Sequence, residues 1–134
     1  YSSFASERYA KIPDYFERAS AAIIKMMQSR KTAIKDGLMQ SGVCVRHLLL
    51  PLNLNETEKI IEWFAQNASG GAYFSLMAQY TPFGDIENYP ELKRPVTKRE
   101  YNRAVDKLLS SGVENCFIQQ LDSSGEKFIP KWDF

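Results

Sequence analysis

Apolar positions along the chain fall into two rhythms. Phe16, Ala19, Ile23, Met26 and Met27 recur at helical spacing up to about Arg30. Pro13 stands ahead of them, where a helix start tolerates its missing N–H. TAIKDGLMQ then sets Asp36-Gly37 between two short semi-apolar runs, which predicts a hairpin. A near-continuous apolar run at about 42–50 predicts a buried strand ended by Pro51. In LNLNETEKIIEWFAQNA, Asn55 and Glu58 read as a capping box, Ile60, Ile61, Phe64 and Ala68 as the buried stripe, and Gly70-Gly71 as the stop. AYFSLMAQYT predicts a second strand at 72–81. The loop PFGDIENYPELKRPV leads to a second capping box, Thr97 with Glu100. Tyr101, Val105, Leu108 and Leu109 are then expected to face inward until Gly112. A third strand is expected at about 114–121, followed by a tail, EKFIPKWDF.

The predicted order is helix, hairpin, strand, helix, strand, helix, strand. Strands alternating with helices imply an α/β fold with parallel pairing. Apolar runs such as RHLLLP and FSLMAQ suit strands of a covered parallel sheet. Such sheets hold ligands beyond the carboxyl ends of their strands, whether they form part of a barrel or part of a wound sheet. The pattern leaves those two open.

The 134 residues allow one domain with a sizeable core. Seventeen basic against sixteen acidic residues, with neither sign clustered, exclude the usual electrostatic footprint of a nucleic-acid binder. No apolar run approaches the roughly 20 residues of a membrane span, and no signal peptide is visible. Cys44 and Cys116 are far apart and match no metal-ligand spacing, so they read as reduced cysteines packed as small hydrophobes in a cytoplasmic protein. The opening YSSFASERYA lacks an initiator Met, so the chain reads as a piece of something longer.

Candidate chemistry centres on Arg46, since a guanidinium is rarely buried without a partner. Alternation puts it on one strand face with Cys44, Leu48 and Leu50. On the second strand Ser75, Met77 and Gln79 share a face, and Phe74, Leu76, Ala78 and Tyr80 share the other. The more apolar set is expected under the helices, which turns Ser75 and Gln79 toward Arg46. Gln119 or Gln120 joins this polar lining. Arg46 is either paired with a carboxylate of a neighbouring strand or an anion site, for which its planar fork is suited. His47 points the opposite way and is expected to hydrogen-bond under the helix layer. Asp85, Glu87 and Glu91 read as a solvated acidic loop, and Lys93-Arg94 as ordinary surface. Nucleophile-elbow, phosphate-loop and dinucleotide-binding glycine motifs do not occur.

VRHLLLP, SLMAQYTP, NYPELKRPVTKREY and FIPKWDF, in this order and spacing, together resemble the radical S-adenosylmethionine proteins. The group most resembled is the one related to pyruvate formate-lyase activating enzymes. YSSFASERYAKIPDYFERA is similar to that group's segment after its fourth barrel strand. The resemblance implies the C-terminal part of a partial (β/α)6 TIM-like barrel, with parallel strands and helices on the outer face. It implies two cofactors in the intact protein: S-adenosylmethionine and a four-iron four-sulfur cluster held by a C-x3-C-x2-C motif. Their chemistry is reductive cleavage to a 5′-deoxyadenosyl radical, which in this group can generate a glycyl radical on a protein substrate. A glycyl-radical enzyme and a reductant such as flavodoxin are the implied partners.

By the same resemblance Arg46 matches an arginine at the cofactor's polar end, and Gln79 and Tyr80 match positions bordering it. Three departures stand out. The cluster motif and the Gly-Gly-Glu segment are absent and would lie upstream of Tyr1, so this chain alone is expected to be inactive and to bind neither cofactor. A His is common where Tyr80 stands, and a Gly is common where Leu52 stands. The competing expectations are a non-catalytic α/β binding or interaction module and a different barrel enzyme with a phosphate-bearing ligand.

Overall fold

The computed structural model describes residues 1–119 and residue 121. The expected Gln120 and the FIPKWDF tail lie outside them. A helical turn α1 (Ser3–Ala5) runs into a wider turn at Ser6–Ala10, and helix α2 (Tyr15–Ser29) follows. Strands β1 (Ala33–Lys35) and β2 (Leu38–Ser41) form an antiparallel hairpin. Its turn is Asp36-Gly37, both with positive φ (52° and 75°), the two-residue geometry that matches strand twist. Then come β3 (Val43–Leu48), α3 (Leu54–Asn67), β4 (Ala72–Met77), α4 (Lys98–Ser110) and β5 (Cys116–Ile118).

The three later strands form one parallel sheet in the order β3-β4-β5. The two crossovers contain α3 and α4, as the alternation predicts. Both helices bury their apolar stripes against one face of the sheet. Ile61 and Phe64 of α3, Leu108 of α4, and Phe74 and Leu76 of β4 are fully buried. Each such side chain contributes about 1.5–3 kcal/mol. Phe64 meets Phe74 edge-on at 5.0 Å. Helix α2 is more loosely attached: Ile23 and Met27 pack partly on the core, and Met26 is exposed.

Several boundaries are corrected. The strands are shorter than expected because the β3-β4 ladder closes with the Leu49 N–H donating to the Met77 carbonyl at 2.9 Å. Beyond it Leu49 and Ala78 are buried as core residues rather than ladder members. Asn55 does not cap α3. The helix begins two residues earlier, after Asn53, whose side-chain amide is drawn away to the Pro51 carbonyl and the Tyr9 hydroxyl. Thr97 and Glu100 do form their capping box. Leu109 faces solvent, and Ala104 takes the inward position instead. Among the described residues, no helix is long and apolar enough to cross a membrane.

Candidate functional site

The face of the sheet opposite α3 and α4 is open among the described residues. Parallel register sets Cys44 beside Tyr73, Arg46 beside Ser75 and Leu48 beside Met77, with Phe117 completing the Arg46 row. Cys44, Arg46, Leu48 and Phe117 are exposed on this face. Tyr73 and Phe117 stack across β4 and β5 at 5.2 Å. The chain thus presents a cation, a hydroxyl and two aromatic rings side by side, a combination able to take an anionic group attached to an apolar or planar one.

Arg46 has no hydrogen bond or ion pair among the described residues. A sheet ion pair therefore does not account for it. Its charge is felt by Cys44, whose thiol is pushed up by partial burial and drawn back by the guanidinium. His47 lies on the other side of the strand. Its Nε2 is 2.9 Å from Thr57 Oγ1 of α3 and its ring is 5.9 Å from Phe74, so burial lowers its pKa from 6.5 to about 4. A cleft of about 230 Å³ runs along β3 at Val45–His47 and is closed by Phe16, Ile23 and Trp63.

The other expected site residues lie at the carboxyl ends of the strands. Gln79 is half-buried and forms no hydrogen bond among the described residues. Tyr80 packs its ring on the core and donates its hydroxyl to the Leu92 carbonyl at 2.8 Å. Gln119 accepts the Tyr101 hydroxyl with its backbone carbonyl, while its side-chain Oε1 is buried without a partner among the described residues. A buried acceptor lacking a donor calls for one from a ligand or water.

Two carboxylates read from sequence as ordinary loop and cap residues are hubs at this end of the sheet. Glu91 accepts both nitrogens of the Arg8 fork (2.6 and 3.0 Å) and the Tyr9 hydroxyl (2.9 Å), and Arg8 also stacks on Tyr89 at 5.0 Å. The Arg8 guanidinium holds the Glu91 carboxyl down to about 2. Glu100 accepts the Arg94 fork (2.8 and 2.9 Å), the N–H and hydroxyl of Thr97, and the Leu52 N–H at 2.8 Å. Asp85 and Glu87 stay in the exposed loop, where Glu87 pairs with Lys93. Only the dense YPEL…R…T-x-x-E spacing hinted at the hubs, because the Arg8 and Leu52 partners are remote in sequence.

Cys44 and Cys116 stand on non-neighbouring strands and on opposite faces of the sheet. Among the described residues, no group of three or more His, Cys, Asp or Glu is arranged to hold a metal ion.

No family model matches the chain, and no solved structure matches it. A curated relative, the uncharacterized protein MJ0674 of Methanocaldococcus jannaschii, is 30% identical over 101 residues. The match takes in 75% of this chain and 26% of the relative, so the chain spans about a quarter of the length of the curated protein it resembles.

Proposed function

We propose that this chain is part of a radical S-adenosylmethionine protein of the group related to pyruvate formate-lyase activating enzymes. In this reading its sheet is the C-terminal part of a partial (β/α)6 barrel. The open face is the barrel interior, and the outer edge of β3 is where a preceding strand would pair. The observation that carries the reading is Arg46: a guanidinium with no hydrogen bond or ion pair among the described residues, on the face opposite α3 and α4, beside Ser75 and one pleat from stacked aromatics.

The residues present fit S-adenosylmethionine. Arg46 would take its carboxylate with a charge-assisted fork. Gln79 and Gln119 Oε1 offer amide groups at the strand ends, and Tyr80, its hydroxyl committed to Leu92, offers a ring surface. When bound and reduced, that cofactor supplies cleavage of its sulfonium carbon–sulfur bond. The residues present do not fit an iron–sulfur cluster, which needs at least about three convergent thiolates. In this reading those ligands come from other parts of the protein. A cytoplasmic setting, a glycyl-radical enzyme as substrate and a flavodoxin-like reductant belong to the same proposal.

The test uses the protein expressed from its complete natural reading frame, reconstituted anaerobically with iron and sulfide. Reduced, it should convert S-adenosylmethionine to 5′-deoxyadenosine and methionine. Failure both to bind and to cleave the cofactor would overturn the reading and favour a non-catalytic α/β interaction module.

A further inference from the structure

The turn that leaves β3, Pro51-Leu52-Asn53, is held from two sides by residues that belong to neither β3 nor α3. Leu52 sits in the left-handed region with φ 61°, a conformation a branched apolar side chain disfavours, and the residue is 69% exposed. No packing reward at Leu52 explains the strain. Such a backbone persists only where its surroundings over-determine it, and here they do. On one side the Leu52 N–H donates to Glu100, which Arg94 and Thr97 fix in place. On the other, the Asn53 side-chain amide donates to the Tyr9 hydroxyl, which in turn donates to Glu91, itself gripped by Arg8. The same Asn53 amide closes the turn on the Pro51 carbonyl at 2.9 Å, and Pro51 is fully buried.

We propose that Glu100 and Tyr9 are positioning residues that lock this turn at the carboxyl end of β3, so that the cofactor engaged by Arg46 meets a preformed rim. The inference rests on the reading above for the identity of the cofactor. The lock itself stands on the geometry alone. Four separate stretches converge on the turn: the N-terminal segment, the loop carrying Glu91, the Arg94 linker and the first turn of α4. A mere helix cap would need only Thr97 and Glu100. The Leu52 and Asn53 bonds add nothing to helix capping and serve only to shape the turn.

The experiment uses the complete natural protein and reads S-adenosylmethionine affinity by equilibrium dialysis, together with amide exchange at Leu52. Glu100→Gln should weaken affinity about tenfold and speed Leu52 exchange at least as much. Tyr9→Phe, which keeps the ring, should weaken affinity severalfold without a matching loss of melting temperature. Leu52→Gly accepts a positive φ without strain, so adding it to Glu100→Gln should recover most of the lost affinity. Loss of a helix cap would not be rescued in this way. Unchanged Leu52 exchange in Glu100→Gln, or a double variant that binds no better than Glu100→Gln, would overturn the lock. If the wild-type protein binds no S-adenosylmethionine, the cofactor reading fails instead, and the exchange rates still decide the lock.

Discussion

Arg46 and His47 are neighbours in sequence and strangers in space. One faces the open side of the sheet beside Ser75, and the other turns under the helices, half-buried, 2.9 Å from the Thr57 hydroxyl. Substituting them should therefore have separable effects. Arg46→Ala removes no hydrogen bond or ion pair among the described residues, so melting temperature should hardly move. In the complete protein it should weaken S-adenosylmethionine binding by roughly 1.5–3 kcal/mol, or about ten- to a hundredfold. His47→Ala should cost about 2–3 kcal/mol of stability, through a lost hydrogen bond and a cavity under α3. Paired calorimetric melts and binding isotherms check both. An Arg46→Ala variant that is destabilised at full affinity would contradict the proposed role.

His47 also makes stability depend on pH. Burial lowers its folded pKa to about 4 from 6.5, so protonation favours the unfolded chain. The stability is fully present above about pH 6.5 and is lost as pH falls toward 4, on the order of 3 kcal/mol in all. Urea titrations between pH 7 and 4 should show this slope, and His47→Gln should flatten it.

At Leu52 the left-handed backbone costs about 1–2 kcal/mol for a residue with a Cβ. Glycine removes that cost but gives back about 0.5–1 kcal/mol in unfolded-state freedom. Leu52→Gly in the otherwise unchanged protein should thus raise stability by about 0.5–1 kcal/mol, read from the urea midpoint. A loss of more than about 1 kcal/mol would mean that the exposed side chain has a packing role.

Thr97→Ala removes the hydroxyl that accepts the Glu100 N–H and donates to its carboxylate. A loss of about 1 kcal/mol is expected, as for other helix N-caps. Thr97→Ser should restore most of it. Thermal denaturation of the two variants side by side decides this.

Much of the fold was legible because its signals are local. Alternation along FSLMAQ told the helix side from the open side, since among the described residues only one face of the sheet is covered. Asp36-Gly37 marked its turn because that geometry demands two positive φ values. The misreadings came where distant partners override local preference. Asn55 looked like a cap, yet the chain starts α3 from Asn53 and spends that residue's amide on Tyr9, far away in sequence. Arg46 stood out because its chemistry conflicts with an apolar run. Arg8, Glu91 and Glu100 conflicted with nothing around them, and only folding brought them together.

The unpaired outer edge of β3 bears on how this polypeptide behaves in a tube. Its N–H and C=O groups have no ladder partner among the described residues, and the strand is nearly all apolar apart from Arg46 and His47. An edge of this kind invites another strand to dock. With a formal net charge of +1, electrostatic repulsion between molecules offers little defence at neutral pH. Concentrated samples should drift toward edge-to-edge association and turbidity, and a charged residue at Leu48, exposed on the face opposite the helices, would be the natural gatekeeper to install.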